Sequence, residues 1–190
     1  PSHRFDKARP PHRRTGERFH DLDAPFFGAG DLVDGIGIYV NQLDELTIPT
    51  QRAQYREAAK LLEKLPPHIE TIIIPGNHDA VRRSLPQPAI PESYAPELYA
   101  NSRIHMAPNP IALNINGVKV FVAHGSALTD ILGSTPGHDF HNPVTAVELL
   151  LKCRHIAPSY GKSTPIAPEK IDRLVIKEIP DVVLMGHIHI

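Results

Sequence analysis

Ile69-Glu70-Thr71-Ile72-Ile73-Ile74, running into Pro75-Gly76-Asn77-His78-Asp79, is the most informative stretch of the chain. Three consecutive isoleucines without polar alternation read as a short strand buried on both faces, the pattern of a parallel or central strand. Pro-Gly-Asn then halts the strand and turns the chain. The same grammar recurs: Ala24 to Ala29 runs into Gly30-Asp31-Leu32-Val33-Asp34, Val118 to Ala123 into His124-Gly125, and Asp181 to Met185 into Gly186-His187-Ile188-His189. Ile111 to Ile115 and Val118 to Ala123 flank Asn116-Gly117, the strongest short hairpin signal.

Helical periods lie between these strands. Gln51 to Leu65 places Tyr55, Ala58, Ala59, Leu62 and Leu65 on one face before Pro66-Pro67 stops it. Pro143 to Cys153, with Asn142 as N-cap, buries Val147, Leu150 and Leu151, and Cys153 reads as core. Pro168 to Glu178 is expected as a third helix with Ile171, Leu174 and Val175 inward. Strands alternating with helices, plus one hairpin, imply a layered α/β sandwich. Two proline-rich connections, Leu85 to Pro96 and Ala157 to Pro168, are long enough to be contact surfaces for substrate or partner, or else passive loops.

Composition narrows the class. The chain has 190 residues, 20 Lys+Arg against 21 Asp+Glu, and 41% hydrophobic residues, which fits one globular domain and excludes a disordered chain or a uniformly basic clamp. No apolar run approaches the roughly 20 residues of a membrane span, and no charged-then-apolar leader opens the chain. One cysteine cannot form an internal disulfide, which fits a reducing compartment. Residues 1–24 hold Arg4, Lys7, Arg9, Arg13, Arg14 and Arg18 against few acids and lack an apolar period, so they read as a basic arm, disordered or foreign to the fold or else DNA-touching, ahead of a domain over 25–190.

In an open α/β sheet, the carboxyl ends of neighbouring strands converge on one crevice. What converges here is Asp31, Asn77, His124, His187 and His189, oxygen and imidazole donors without a thiolate. That set suits Mn²⁺, Mg²⁺, Fe or Zn²⁺ at a hydrolytic site. His187 and His189 would serve two adjacent ions if the backbone turns, with Gly186 permitting the turn. Asp31 has two oxygens with which to bridge a pair of ions, and two ions about 3.5–4 Å apart clamp and polarise a phosphate. His78, beside a ligand and not needed as one, is then the candidate catalytic residue, free to protonate the leaving oxygen or hold the developing charge, with Asp79 (a further catalytic candidate) and Asp34 orienting His78 and the loop backbone. Arg82, Arg83, His138, His141 and His155 are candidate substrate contacts, and Tyr160 a candidate base-stacking residue, although each reads more readily as ordinary surface or packing.

The clusters Gly-Asp-x-x-Asp at 30 to 34, Gly-Asn-His-Asp at 76 to 79, His-Gly at 124 to 125 and Gly-His-x-His at 186 to 189 resemble the motifs of calcineurin-like metallophosphoesterases. The flanking text is more specific. Gly30 to Gly37, Pro75 to Arg82, Arg154 to Pro158 and Thr164 to Glu169 resemble the small subunits of archaeal family D DNA polymerases, over about Gly30 to Ile190. The resemblance implies an α/β fold with αββα metallophosphoesterase layers, incomplete at both ends. It implies a manganese-dependent 3′ to 5′ exonuclease in the archaeal cytosol that acts on single-stranded 3′ ends of DNA during replication. Its partner would be a large polymerising subunit, with the sliding clamp a further candidate. By resemblance Asp31 bridges two ions, Asn77, His124 and His187 complete one, His189 serves the other, and His78 is the catalytic histidine. Related eukaryotic subunits that have lost the metal residues act as scaffolds, which leaves scaffolding and stand-alone phosphatase activity as alternatives.

One departure stands out. The superfamily opens with an Asp-x-His triplet on its first strand, and residues 1–29 contain none, Asp21-Leu22-Asp23 being the nearest. The expectation is a partial chain, with the second ion left to Asp31 and His189.

Overall fold

The computed structural model describes residues 25–159 and 163–189 and, ahead of them, the backbone of 18–19. Apart from those two residues, the basic arm expected over 1–24 lies outside the described residues, as does Tyr160. The elements run β1 (Arg18–Phe19), β2 (Phe26–Ala29), α1 (Gln42–Glu45), α2 (Gln51–Leu62), β3 (Thr71–Ile74), α3 (Pro96–Ala100), β4 (Ile104–Met106), β5 (Ile111–Ile115), β6 (Val118–Ala123), α4 (Ala127–Ser134), α5 (Val144–Cys153) and β7 (Val182–Met185). The fold is α/β, with two small sheets of order β2-β3-β4 and β1-β5-β6-β7. No helix among the described residues is long and apolar enough to cross a membrane.

The Thr71–Ile74 strand is buried along its whole length and pairs in parallel with β2 and β4. Its period of two splits the isoleucines between two cores. Ile72 and Ile74 face the other sheet, meeting Leu113 and Ile115 of β5 and Val120 and Val122 of β6. Ile73 faces outward onto Tyr55 and Ala59 of α2 and Leu98 of α3. A fully buried Ile side chain is worth roughly 1.5–3 kcal/mol, so this one strand binds both layers. On the far side Phe121 and Ala123 of β6 pack against Ile156, Leu174 and Ile176. The Asn116-Gly117 hairpin forms as expected, with both residues at positive φ, 49° and 92°, as a type I′ turn requires.

The helix expected from Pro168 to Glu178 does not form. Ile156 N–H donates to the Leu174 carbonyl and Ile176 N–H to the Arg154 carbonyl, while Asp172 captures Leu174 N–H with its carboxylate. Local side-chain capture of backbone and pairing with a neighbouring segment compete with helix. The burial follows suit: Leu174 and Ile176, two apart, are inside, whereas Ile171 and Val175 are exposed. Cys153, expected in the core, is exposed at the last position of α5. The proline-rich connection over Leu85 to Pro96 is partly interior, with Leu85, Gln87 and Ile90 buried and Pro88, Pro91 and Tyr94 exposed.

Candidate metal centre

Two parallel strand pairs deliver the site. β2 and β3 end in register at Ala29 and Ile74, and β6 and β7 at Ala123 and Met185. Each sheet thus contributes two polar clusters: Asp31 and Asn77 from one, His124 and His187 from the other. The approach is tight. A Cβ on Gly30, which sits at φ 93°, would lie 2.3 Å from His124 Nδ1, and one on Gly76 would lie 2.1 Å from Asp31 Oδ1. Only glycine permits both.

Three ligand atoms gather around a fourth, His124 Nε2. Asn77 Oδ1 is 2.9 Å away, Asp31 Oδ2 3.2 Å and His187 Nδ1 3.2 Å. The tautomers follow from the other ring nitrogens. His124 Nδ1 lies 3.0 Å from the Ala29 carbonyl, which only accepts, so Nδ1 carries a proton and Nε2 of the neutral ring a lone pair. His187 Nε2 lies 3.0 Å from Thr129 Oγ1, a hydroxyl able to donate or accept; in the tautomer in which Nε2–H donates to it, Nδ1 also turns a lone pair inward. Four lone pairs then face one another. A proton on His124 Nε2 satisfies one acceptor well, whereas a divalent cation satisfies all four, so the residues fit a metal ion. Asp31, His124 and His187 form the compact group of possible ligands among the described histidine and carboxylate side chains.

Without a metal ion, the electrostatics favour a proton in its place between His124 and Asp31. Burial opposes charge on His124, but the adjoining Asp31 carboxylate outweighs it and lifts His124 above the ordinary imidazole value. Burial likewise opposes ionised Asp31, yet the His124 contact and His78 N–H pull it below the usual carboxylate value. Burial and the neighbouring His124 charge together lower His187.

His189, the fifth expected ligand, is exposed and stays outside this group, sharing with Asp31 and His78 a cavity of about 360 Å³. The turn expected from Gly186 is made at His187 itself, at φ 70°, spanned by a hydrogen bond from Ile188 N–H to the Gly186 carbonyl. Gly186 is needed for room, since a Cβ there would lie 2.9 Å from the Ala29 carbonyl.

His78 N–H donates to Asp31 Oδ1 at 2.9 Å, and His78 Nδ1–H donates to the Asp34 carbonyl at 3.0 Å, leaving Nε2 4.0 Å from Asp31 Oδ2. Asp34 therefore orients His78 through its backbone, while its side chain is exposed. Asp79 orients the loop backbone, as expected, but makes no hydrogen bond to His78. Its oxygens accept Tyr55 O–H (2.8 Å), Gly76 N–H (2.8 Å) and Leu32 N–H (3.3 Å), so it staples two site loops to α2, and burial raises its pKa.

The expected substrate contacts separate. Arg82 is spent on the Pro86 carbonyl and Glu169, and His155 has both ring nitrogens engaged, by Asp172 and by Ala157 N–H. His138 bonds Thr145, and His141 stands in solvent beside Asp139. Arg83, held by one 3.2 Å bond to the Gly37 carbonyl, lines a cavity of about 220 Å³ together with Asn77 and His187.

A buried amide pair gave almost no sign of itself in the sequence. Gln87 Nε2 donates to the Gly76 carbonyl, Asn109 Nδ2 donates to Gln87 Oε1, and His124 N–H donates to Asn109 Oδ1, at 3.1, 2.6 and 3.0 Å. This chain of bonds ties the Asn77 loop to His124. The only sequence signal was a polar residue inside a proline-rich run, Pro86-Gln87-Pro88.

Comparison with known proteins adds a lineage. Residues 33–189 match the family model that describes the B-type subunits of DNA polymerases alpha and epsilon. The DNA polymerase II small subunit of Pyrococcus furiosus is 45% identical over 162 residues, covering 85% of this chain and 26% of that protein. The protein of that name from Archaeoglobus fulgidus is 45% identical over 161 residues (85% and 33%), and that from Halobacterium salinarum 43% over 166 (85% and 32%). The chain thus spans about a quarter to a third of the length of these curated relatives.

Proposed function

Because the chain belongs to the family of B-type subunits of DNA polymerases alpha and epsilon, with the archaeal small subunits among its relatives, we propose that it is the phosphoesterase portion of a replicative polymerase's small subunit and hydrolyses DNA phosphodiesters from the 3′ end. The convergence of the Asp31, Asn77, His124 and His187 lone pairs carries this reading. The two packed sheets, with α2 and α3 outside the β2-β3-β4 sheet, support the reading of a layered metallophosphoesterase sandwich. Asp31, Asn77, His124 and His187 would hold one divalent ion, Mn²⁺ by the family resemblance, with Mg²⁺, Fe or Zn²⁺ also suited to oxygen and imidazole donors, and Asp31 with His189 would serve a second. Bound there, such ions supply Lewis acidity to the phosphodiester and lower the pKa of water.

The chain's own groups do the rest. The Asp34 carbonyl holds His78 so that Nε2, when protonated, is turned toward the site to deliver its proton to the departing 3′ oxygen. Asp79 and Tyr55 keep the loops of Asp31 and Asn77 at fixed separation, as in-line displacement demands. A large polymerising subunit would be the partner.

The test is degradation of 5′-labelled single-stranded DNA with Mn²⁺, run beside His124→Ala. Stepwise shortening from the 3′ end, absent in the variant, is expected. Shortening that persists in His124→Ala would refute the assignment. One observation favours a second reading: His189 stays apart from the compact group, so a chain that binds a single ion and serves as a tether for the large subunit is the alternative. It predicts one ion per chain and no cleavage.

A further inference from the structure

Two cavities flank the donor cluster, and their linings differ in charge. The larger, with His78 and His189, is lined by three carboxylates, Asp31, Asp34 and Glu57. Among the described residues the smaller carries no carboxylate in its lining; it is bounded by Asn77 and His187 of the cluster and by Arg83, Ser126, Thr129 and Ser163. A DNA phosphate beside the cluster is repelled by the first and accommodated by the second. Asp130, which lies behind the smaller cavity, has its charge absorbed by the backbone N–H groups of Ser163 and Thr164 and by the Ser163 hydroxyl. Burial opposes ionised Asp130, but these donors overcome it and hold its pKa low.

The two adjacent arginines have different fates, which the sequence could not separate. Arg82 braces the Pro86 carbonyl and pairs with Glu169. Arg83 makes one long bond to the Gly37 carbonyl and leaves most of its fork of donors for the cavity. The Ser126 hydroxyl, at the position before α4, makes no capping bond to that helix.

We propose that this cavity is an anion subsite in which Arg83 and the Ser126 hydroxyl take a non-bridging oxygen of a DNA backbone phosphate while the linkage to be cut lies on the Asp31–Asn77–His124–His187 cluster. The inference rests on the nuclease reading and adds to it which arginine holds the backbone. A guanidinium there neutralises phosphate charge and fixes the strand without reading bases.

The experiment titrates a 5′-labelled single-stranded oligonucleotide by fluorescence anisotropy in EDTA, where nothing is cut, at several salt concentrations. Arg83→Ala is expected to weaken binding roughly tenfold, the worth of one charge-assisted hydrogen bond. It should also flatten the log K against log salt slope by about 0.7, the contribution of one phosphate on a single strand. Arg83→Lys should keep the slope, and Ser126→Ala should lose affinity with the slope unchanged. Replacing one phosphate near the 3′ end by a neutral methylphosphonate should cost the wild type the same amount and cost Arg83→Ala nothing more. Wild-type affinity and slope in Arg83→Ala, or methylphosphonate losses that add to the Arg83→Ala loss at every linkage, would overturn the subsite. Cleavage of the oligonucleotide by wild type with Mn²⁺, together with an unaltered Arg83→Ala, removes the subsite alone. Failure of wild type both to bind and to cut removes the nuclease reading and the subsite with it.

Discussion

Asp31 and His187 both sit in the left-handed region, at φ 50° and 70°, where residues other than glycine are uncommon. Such conformations cost on the order of 1–3 kcal/mol each and persist only where surrounding contacts enforce them. The enforcing contacts here are His78 N–H on Asp31 and Thr129 on His187, with glycines at 30, 76 and 186 that let backbone and ring approach. His78 differs in kind, because it is held by a carbonyl and a backbone bond and lies outside the four-donor group. His78→Ala is therefore expected to lower turnover by at least about 10²-fold, the usual worth of a positioned acid, while leaving Mn²⁺ affinity within a few-fold of wild type. Isothermal titration with Mn²⁺, paired with single-turnover cleavage, checks this. Parallel loss of both would make His78 a ligand or a structural residue.

At the scale of elements, the site is a product of loop bracing as much as of strand ends. Asn109 and Gln87 are each 1% exposed, and their hydrogen bonds join the turn after β3 to the start of the turn after β6. Asn109→Ala leaves His124 N–H and Gln87 Oε1 buried without partners, so a loss of about 2–3 kcal/mol is expected in urea unfolding. Because the two amides act as one unit, the Gln87→Ala, Asn109→Ala double variant should cost less than the sum of the singles by at least about 0.5 kcal/mol. Strict additivity would show that the pair does not couple the loops. None of this was legible in the sequence, since the partners of a glutamine are set by tertiary approach. The strand-end clusters were legible, because a short apolar run followed by a polar cluster containing glycine survives as a local pattern at Ala29, Ile74, Ala123 and Met185. Pro168 to Glu178 misled for the converse reason: its apolar spacing satisfies a helical period, while Asp172 and the 154–156 backbone draw it into extended pairing. The exposed Cys153 is an error of the same origin, burial being decided by what packs alongside.

For the whole molecule, the consequence of the two-sheet origin of the site is mechanical. Asp31 and Asn77 hang from β2 and β3, His124 and His187 from β6 and β7, and between them the sheets share the apolar core of Ile72, Ile74 and their partners. An ion held by all four would cross-link the two sheets at their carboxyl ends, and it would bind the folded chain far better than the unfolded one. Such a ligand stabilises by about 2.7 kcal/mol at one hundred times its Kd. For a chain of this size that corresponds to a rise in Tm of roughly 5–10 °C. Thermal unfolding with and without Mn²⁺ is expected to show that rise in wild type, and the increment should vanish in His124→Ala and in the less buried His187→Ala. His187→Ala also serves as a check, should the buried His124 prove necessary for folding. An increment of equal size in both variants would mean that Mn²⁺ binds elsewhere and that the four-donor cluster is held together by the proton shared between Asp31 and His124 alone.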